Sequence, residues 1–228
     1  MNLRIFDNKD DLSAGAGRAI LDEIEKGARV IALSGGNTPQ QMYTALGKND
    51  AIREVPITWV VVDERYVPVD DAQSNEGMLR RTLFARGVAP SHRFLAFDTS
   101  LNDPAATAQK FARDWQSLGL TQVDLMHLGM GDDGHTASLF PGTTALDATE
   151  SIATAVFVPR LNSWRVTVTL PVIRGAKMRH VMVAGASKAP VLKSLSEGAD
   201  YPIKRATEGV VTWWFTDRDA VAELPTGR

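Results

Sequence analysis

Val123-Asp124-Leu125-Met126-His127-Leu128-Gly129-Met130-Gly131-Asp132-Asp133-Gly134-His135-Thr136-Ala137-Ser138-Leu139-Phe140-Pro141-Gly142 is the stretch on which the fold turns. Its first six residues are an apolar run interrupted by Asp124 and His127, the pattern of a buried strand. Glycines, two adjacent carboxylates and a histidine follow where that strand must end in a loop. In an open α/β sheet the ligand crevice lies beyond the carboxyl ends of the strands. His135 is therefore the chemical centre of the reading.

Gly129-x-Gly131-x-x-Gly134 also spells the dinucleotide-binding fingerprint, which alone is a weak signal. Asp132 and Asp133 argue against it, because they would put two negative charges where a pyrophosphate must lie. Pro141 argues against it too, since it limits the following helix, and a crossover of the βαβ type needs a dozen or more residues.

The rest of the chain bounds the possibilities. A compact chain of 228 residues hides about 70–75% of the surface that its unfolded form exposes, so a single domain over 1–228 needs no covalent staple. With no cysteine, thiol nucleophiles, iron–sulfur clusters and cysteine zinc sites are excluded, and a reducing cytoplasm is the expected location. Met1 to Asp7 is too short and polar for a signal peptide, and no apolar run approaches a membrane span. The formal net charge is -2 with both signs interspersed, so there is no basic face for nucleic acid. An anionic ligand must be met by a local cluster.

Outward from the central stretch, strand and helix patterns alternate, which predicts an α/β, doubly wound, mostly parallel sheet with helices on both faces, a Rossmann-like three-layer fold. Ile5-Phe6 begins an edge strand, and Asp10 to Lys26 carries apolar residues at helical spacing. The buried run Val30 to Leu33 feeds Ser34-Gly35-Gly36-Asn37-Thr38-Pro39. Thr38 reads as a helix cap with Pro39 in the first turn, and the loop as either an anion site at a helix N-terminus or a plain glycine turn. Ile57 to Val62 is a second buried strand, ending in Asp63-Glu64-Arg65. Three charges there either face a crevice or form a local ion pair in a solvated loop.

Ser74 reads as the cap of a helix reaching Arg86, Phe94 to Phe97 as a short strand, and Pro104 to Leu118 as a helix. Arg165 to Leu170 alternates cleanly, which displays Arg165 beside the crevice or into solvent. His180 to Ala184 is the next strand, followed by Gly185-Ala186-Ser187-Lys188. Lys188 near a helix N-terminus opposes the helix dipole, so an anion is expected to meet it. Thr212 to Thr216 closes the sheet, with Trp213 and Trp214 in the core. Asp132 reads as a solvated turn residue, and His92, His127 and His180 as structural.

The polar strand ends, Ser34 to Thr38, Asp63 to Arg65, Asp133 with His135, and Lys188, together with Arg165, resemble the 6-phosphogluconolactonase family, which belongs with the glucosamine-6-phosphate deaminase/isomerases. The matching stretches are Ser34 to Pro39, Asp63 to Pro68 with Ser74-Asn75, Gly129 to Gly142, Arg165 to Thr169, and Gly185 to Lys188. They come in the family's order and cover most of the chain. The deaminases resemble the pattern less closely: they typically carry Asp-Glu-Tyr where this chain has Asp63-Glu64-Arg65. They also need a further carboxylate after the histidine, and no acid follows His135 before Asp147. The stretch after Tyr201-Pro202 matches least.

The resemblance implies hydrolysis of 6-phospho-D-glucono-1,5-lactone in the oxidative pentose phosphate pathway, by a monomer or homodimer without metal or cofactor. It implies His135 as the base that activates water, Asp133 as its orienting partner, and Arg65 near the carbonyl where charge develops. Gly35, Gly36, Arg165 and Lys188 are then expected to hold the phosphate, with Ser34, Asn37, Thr38 and Asp63 as further pocket residues. The alternatives are a glucosamine-6-phosphate deaminase/isomerase on the same scaffold, and a sugar-phosphate-binding module without turnover.

Overall fold

In a computed structural model, which describes residues 1–225, the apolar runs become strands of one parallel sheet. In chain order the elements are β1 (Asn2–Phe6), α1 (Lys9–Glu25), β2 (Val30–Leu33), α2 (Gln40–Gly47), α3 (Asp50–Arg53), β3 (Thr58–Val61), β4 (Asp63–Arg65), α4 (Asn75–Arg81), β5 (Arg93–Leu95) and α5 (Pro104–Ser117). There follow β6 (Leu125–Gly129), β7 (Ala153–Val158), β8 (Ser163–Val168), α6 (Leu170–Gly175), β9 (Met178–Val183), α7 (Ala189–Ser196), α8 (Pro202–Thr207) and β10 (Thr212–Asp217). Seven strands pair in the order β1-β10-β9-β6-β2-β3-β5, every pairing parallel. This is the doubly wound α/β sheet expected from the sequence. Ile31, Ala32 and Leu33 of β2 and Trp59, Val60 and Val61 of β3 have no exposed surface. Strands covered on both faces read as unbroken apolar runs for that reason.

Strand order reverses between β2 and β6, so the loops after these two strands diverge and leave a crevice at their carboxyl ends. The opposite end is stitched by Asp124. Its Oδ2 accepts from the N–H groups of Arg29 and Val30, and its Oδ1 pairs with Lys177 Nζ at 2.7 Å. A carboxylate in an apolar run is tolerated because it ties the starts of β2, β6 and β9 together.

A second sheet was not foreseen. β4, β8 and β7 form a three-stranded antiparallel sheet. Val62 couples the two sheets: its N–H donates to Leu33 O and its carbonyl accepts from Val168 N–H. The clean alternation at Arg165 to Leu170 leaves Arg165 either beside the crevice or in solvent; solvent is excluded, since Arg165 to Val168 are all buried. The strand ends at Val168, and Leu170 opens α6 with Pro171 in its first turn. The helix capped by Ser74 stops at Arg81, short of Arg86, although the cap itself is real: Ser74 Oγ accepts from Gly77 N–H.

His127 and His180 face each other across β6 and β9, both buried. Burial lowers His127 from 6.5 to about 4, and burial with the neighbouring His127 lowers His180 to about 3. The folded chain keeps both imidazoles neutral, whereas the unfolded chain takes up protons below about pH 6.5. Stability is therefore fully present above pH 6.5 and is lost as the pH falls toward these lowered values. The expected cost near pH 4 is roughly 3 kcal/mol for His127 alone. Urea midpoints measured from pH 8 down to pH 4.5 check this, and a flat profile would contradict it.

Candidate active site

Beyond the ends of β2, β6 and β9 lies a cavity of about 260 Å³, somewhat below the roughly 300 Å³ at which drug-sized sites begin. Its wall includes Ser34, Gly35, Gly36, Thr38, Asp63, Arg65, His135 and Lys188. Eight of the residues singled out from the sequence thus meet in one hollow. Asn37, Asp133 and Arg165 do not line it.

The loop after β2 is tied down by Ser34, whose Oγ and N–H both donate to His127 O. Gly35 is fixed by close approach: a Cβ there would fall 1.7 Å from Asn75 Oδ1. Gly36 has φ +99°, a conformation open to glycine at no steric cost. The expected cap is not made. Helix α2 starts at Gln40 after Pro39, without a side-chain cap bond, and Thr38 and Asn37 are exposed. Asn37 Oδ1 accepts from Gln40 Nε2 instead. Among the described residues the N–H groups of Gly35, Gly36 and Thr38 meet no acceptor, which leaves a set of donors beside the cavity.

Strand alternation settles how the three charges of β4 are disposed. Asp63 and Arg65 face the cavity, while Glu64 points the other way into the protein. Glu64 accepts from the N–H groups of Arg65, Asn75 and Glu76 and from Ser74 Oγ. Burial nevertheless pushes it up to about 7. Asp63 Oδ2 accepts from Ser138 Oγ at 2.7 Å, and Arg65 Nη1 donates to Gln73 O. Neither a solvated loop nor an internal ion pair describes this segment.

Arg165 lies directly opposite Arg65 in the β4–β8 register, so the two guanidinium groups share a face. It is 8% exposed, and its buried Nε and Nη1 have no hydrogen-bond partner. Burial and the Arg65 charge both lower its pKa. An unpaired buried cation beside a second one is the electrostatic complement of an anion.

After β6 the chain turns tightly, with Gly131 N–H donating to His135 O and Gly134 N–H to Gly131 O. His135 Nδ1 lies 2.5 Å from Asp133 Oδ1. This contact fixes the ring proton on Nδ1 and leaves Nε2 as the basic nitrogen. Burial would raise Asp133, but the His135 hydrogen bond and charge, with Arg160 beside it, bring it down to about 2. The ring stacks on Phe140 at 4.1 Å. Gly134, at φ +72°, packs against the Tyr201 ring, and its carbonyl accepts from Ile203 N–H. These contacts, rather than a pyrophosphate, account for Gly131 and Gly134 of the fingerprint.

Lys188 Nζ meets Asp132 Oδ1 at 2.5 Å. The expected anion is therefore present, and it is the residue read as a free turn aspartate. Asp132 is exposed, but it is paired. Asn75, His127, Thr136 and Ala137 also line the cavity and were not read as functional. Asn75, Thr136 and Ala137 had a signal, their places in matching stretches, and His127 had none. Arg160 had none, because its approach to Asp133 depends on how the second sheet folds over the loop. Among the described residues no three His, Asp or Glu side chains gather as a metal site.

The arrangement is an imidazole hydrogen-bonded to a carboxylate, with a guanidinium and an ammonium, around a small polar hollow. Residues 7–214 match the family model described as glucosamine-6-phosphate isomerases/6-phosphogluconolactonase. The chain is 36% identical to the 6-phosphogluconolactonase of Nostoc sp., over 88% of this chain and 86% of that one. It is 30% identical to that of Mycobacterium tuberculosis, over 99% of both. Its fold overlays the 6-phosphogluconolactonase structure from Trypanosoma brucei with a TM-score of 0.84, at 27% identity over 98% of each chain. A monomeric glucosamine-6-phosphate deaminase, 22% identical, shares the fold with a TM-score of 0.81 over 98% of this chain and 100% of that one. Sequence and fold agree: the chain belongs to the glucosamine-6-phosphate isomerase/6-phosphogluconolactonase family.

Proposed function

We propose that the protein hydrolyses 6-phospho-D-glucono-1,5-lactone to 6-phosphogluconate, a step of the oxidative pentose phosphate pathway, in the cytoplasm. The observation that carries this reading is His135, held from behind by Asp133, in one cavity with Arg65 and Lys188. Nε2 of His135 takes a proton from water as the oxygen attacks C1 of the lactone. Arg65 stabilises the oxyanion that forms. On collapse the ring oxygen leaves with the proton held on Nε2, and the ring opens to the acid. Asp133 keeps the imidazole in the correct tautomer and stabilises its charged form meanwhile.

The phosphate lies against the N–H groups of Gly35 and Gly36 and against Lys188, with the unpartnered Arg165 contributing positive potential from behind. Ser34 and Asp63 shape the wall, and Asn37 serves only the loop. The lactonase reading is favoured over an amino-sugar deaminase because the one carboxylate lining the cavity among the described residues, Asp63, is already held by Ser138.

The test is the rate of acid release from freshly made lactone above its spontaneous hydrolysis. No acceleration, with tight binding of 6-phosphogluconate, would leave a binding module instead, and ammonia release from glucosamine 6-phosphate would leave a deaminase. Within the lactonase reading, Lys188→Ala is expected to raise KM about tenfold, the scale of one charge-assisted hydrogen bond, with a smaller change in kcat. An unchanged KM removes Lys188 from the phosphate site.

A further inference from the structure

Asp133 serves two partners. Its Oδ1 faces His135 Nδ1, and its Oδ2 lies 2.5 Å from Arg160 Nη2. Arg160 belongs to the turn between β7 and β8, where Asn162 is left-handed at φ +45°. The same guanidinium lies over the Phe140 ring, 5.1 Å from its centre, and Phe140 stacks on the His135 ring. One cation from the second sheet thus reaches the imidazole by two routes, through the carboxylate and through the aromatic ring.

We propose that Arg160 is a positioning residue for the base: it locks the Asp133 carboxylate against His135 and, by sharing its charge, sets the basicity of the imidazole. This rests on His135 being the base. A carboxylate that also binds a guanidinium offers less negative charge to a proton on the imidazole, so removing Arg160 frees Asp133 to favour that proton more strongly. The other charged groups around the loop are otherwise engaged. Lys188 pairs with Asp132, Asp63 accepts from Ser138, Arg65 donates to Gln73 O, and Asp200 pairs with Arg205 beside α8. Glu64 points toward α4, and His127 is neutral.

The hairpin turn is exposed, so Arg160→Met keeps bulk over Phe140 while removing the charge, and it folds. The acid limb of kcat/KM is expected to move up by about half to one pH unit, a size limited by the 53% exposure of the Arg160 side chain, with kcat near neutrality down severalfold. Arg160→Lys, which restores a charge, is expected to return the limb most of the way. An altered melting temperature with an unmoved limb would reduce Arg160 to a structural ion pair and overturn the proposal. A raised KM with an unmoved limb would make it a substrate contact and overturn it equally. NMR titration of the His135 imidazole in parent and Arg160→Met protein reads the same shift without turnover. It therefore separates failure of this coupling from failure of the lactonase assignment.

Discussion

His135→Ala is expected to lower kcat by about 10²–10⁴-fold, the range that a positioned general base contributes, while KM changes little. The two parameters separate because the proposed phosphate contacts lie on other strand ends, so ground-state binding is expected to survive the loss of the ring. Fold stability is expected to hold, since the ring is partly exposed, its hydrogen-bond partner is a loop carboxylate, and it meets the core only by stacking on Phe140. The measurement needs the spontaneous opening of the lactone as its reference at each pH. A near-normal kcat would mean that water is activated elsewhere, and the role assigned to Asp133 would fall with it.

Much of this geometry could be read from the sequence because the parallel sheet is built from local signals. Val30 to Leu33, Ile57 to Val62 and Val123 to Leu128 are apolar runs, the second broken only by Thr58 and the third by Asp124 and His127, and polar residues that follow them form much of the cavity wall. Burial on both faces imposes the run, and the strand's end places the loop, so one pattern yields both fold and site. The second sheet has no such signature. Asp63-Glu64-Arg65 is a strand only because its backbone finds β8 about a hundred residues later, and that pairing is decided by tertiary context rather than by propensity. Arg165 could not be assigned a side before its partner strand was known. Thr38 failed as a cap because the loop spends its turn approaching Asn75, which delays the helix to Gln40. Arg160 was invisible for the reason that makes it informative: a turn in one sheet touches a carboxylate at the end of another.

Gly131→Ala is expected to cost almost as much activity as removing the imidazole, about 10²-fold in kcat, without unfolding the chain. A Cβ at Gly131 would sit 2.0 Å from His135 Nδ1, 2.1 Å from Cε1 and 2.8 Å from Asp133 Oδ1. Three contacts below 3 Å cannot be relieved by a small adjustment, because the ring is backed by Phe140 and the carboxylate is held by Arg160. The imidazole must swing away and its bond to Asp133 must break, so Nε2 loses both its tautomer and its place. Gly131 is not among the glycines with positive φ, so the substitution carries no backbone strain and the effect is steric. Gly129, two residues earlier in the same motif, is the comparison. No atom lies within 4 Å of a Cβ built there, and Gly129→Ala is expected to leave the Asp133–His135 hydrogen bond intact. A dinucleotide fingerprint would demand the first of these glycines for its tight turn as much as the second. NMR of the His135 Nδ1 proton in both variants, beside their kcat values, decides the matter. Equal losses at the two positions, or an undisturbed ring in Gly131→Ala, would end the reading of this glycine as clearance for the base.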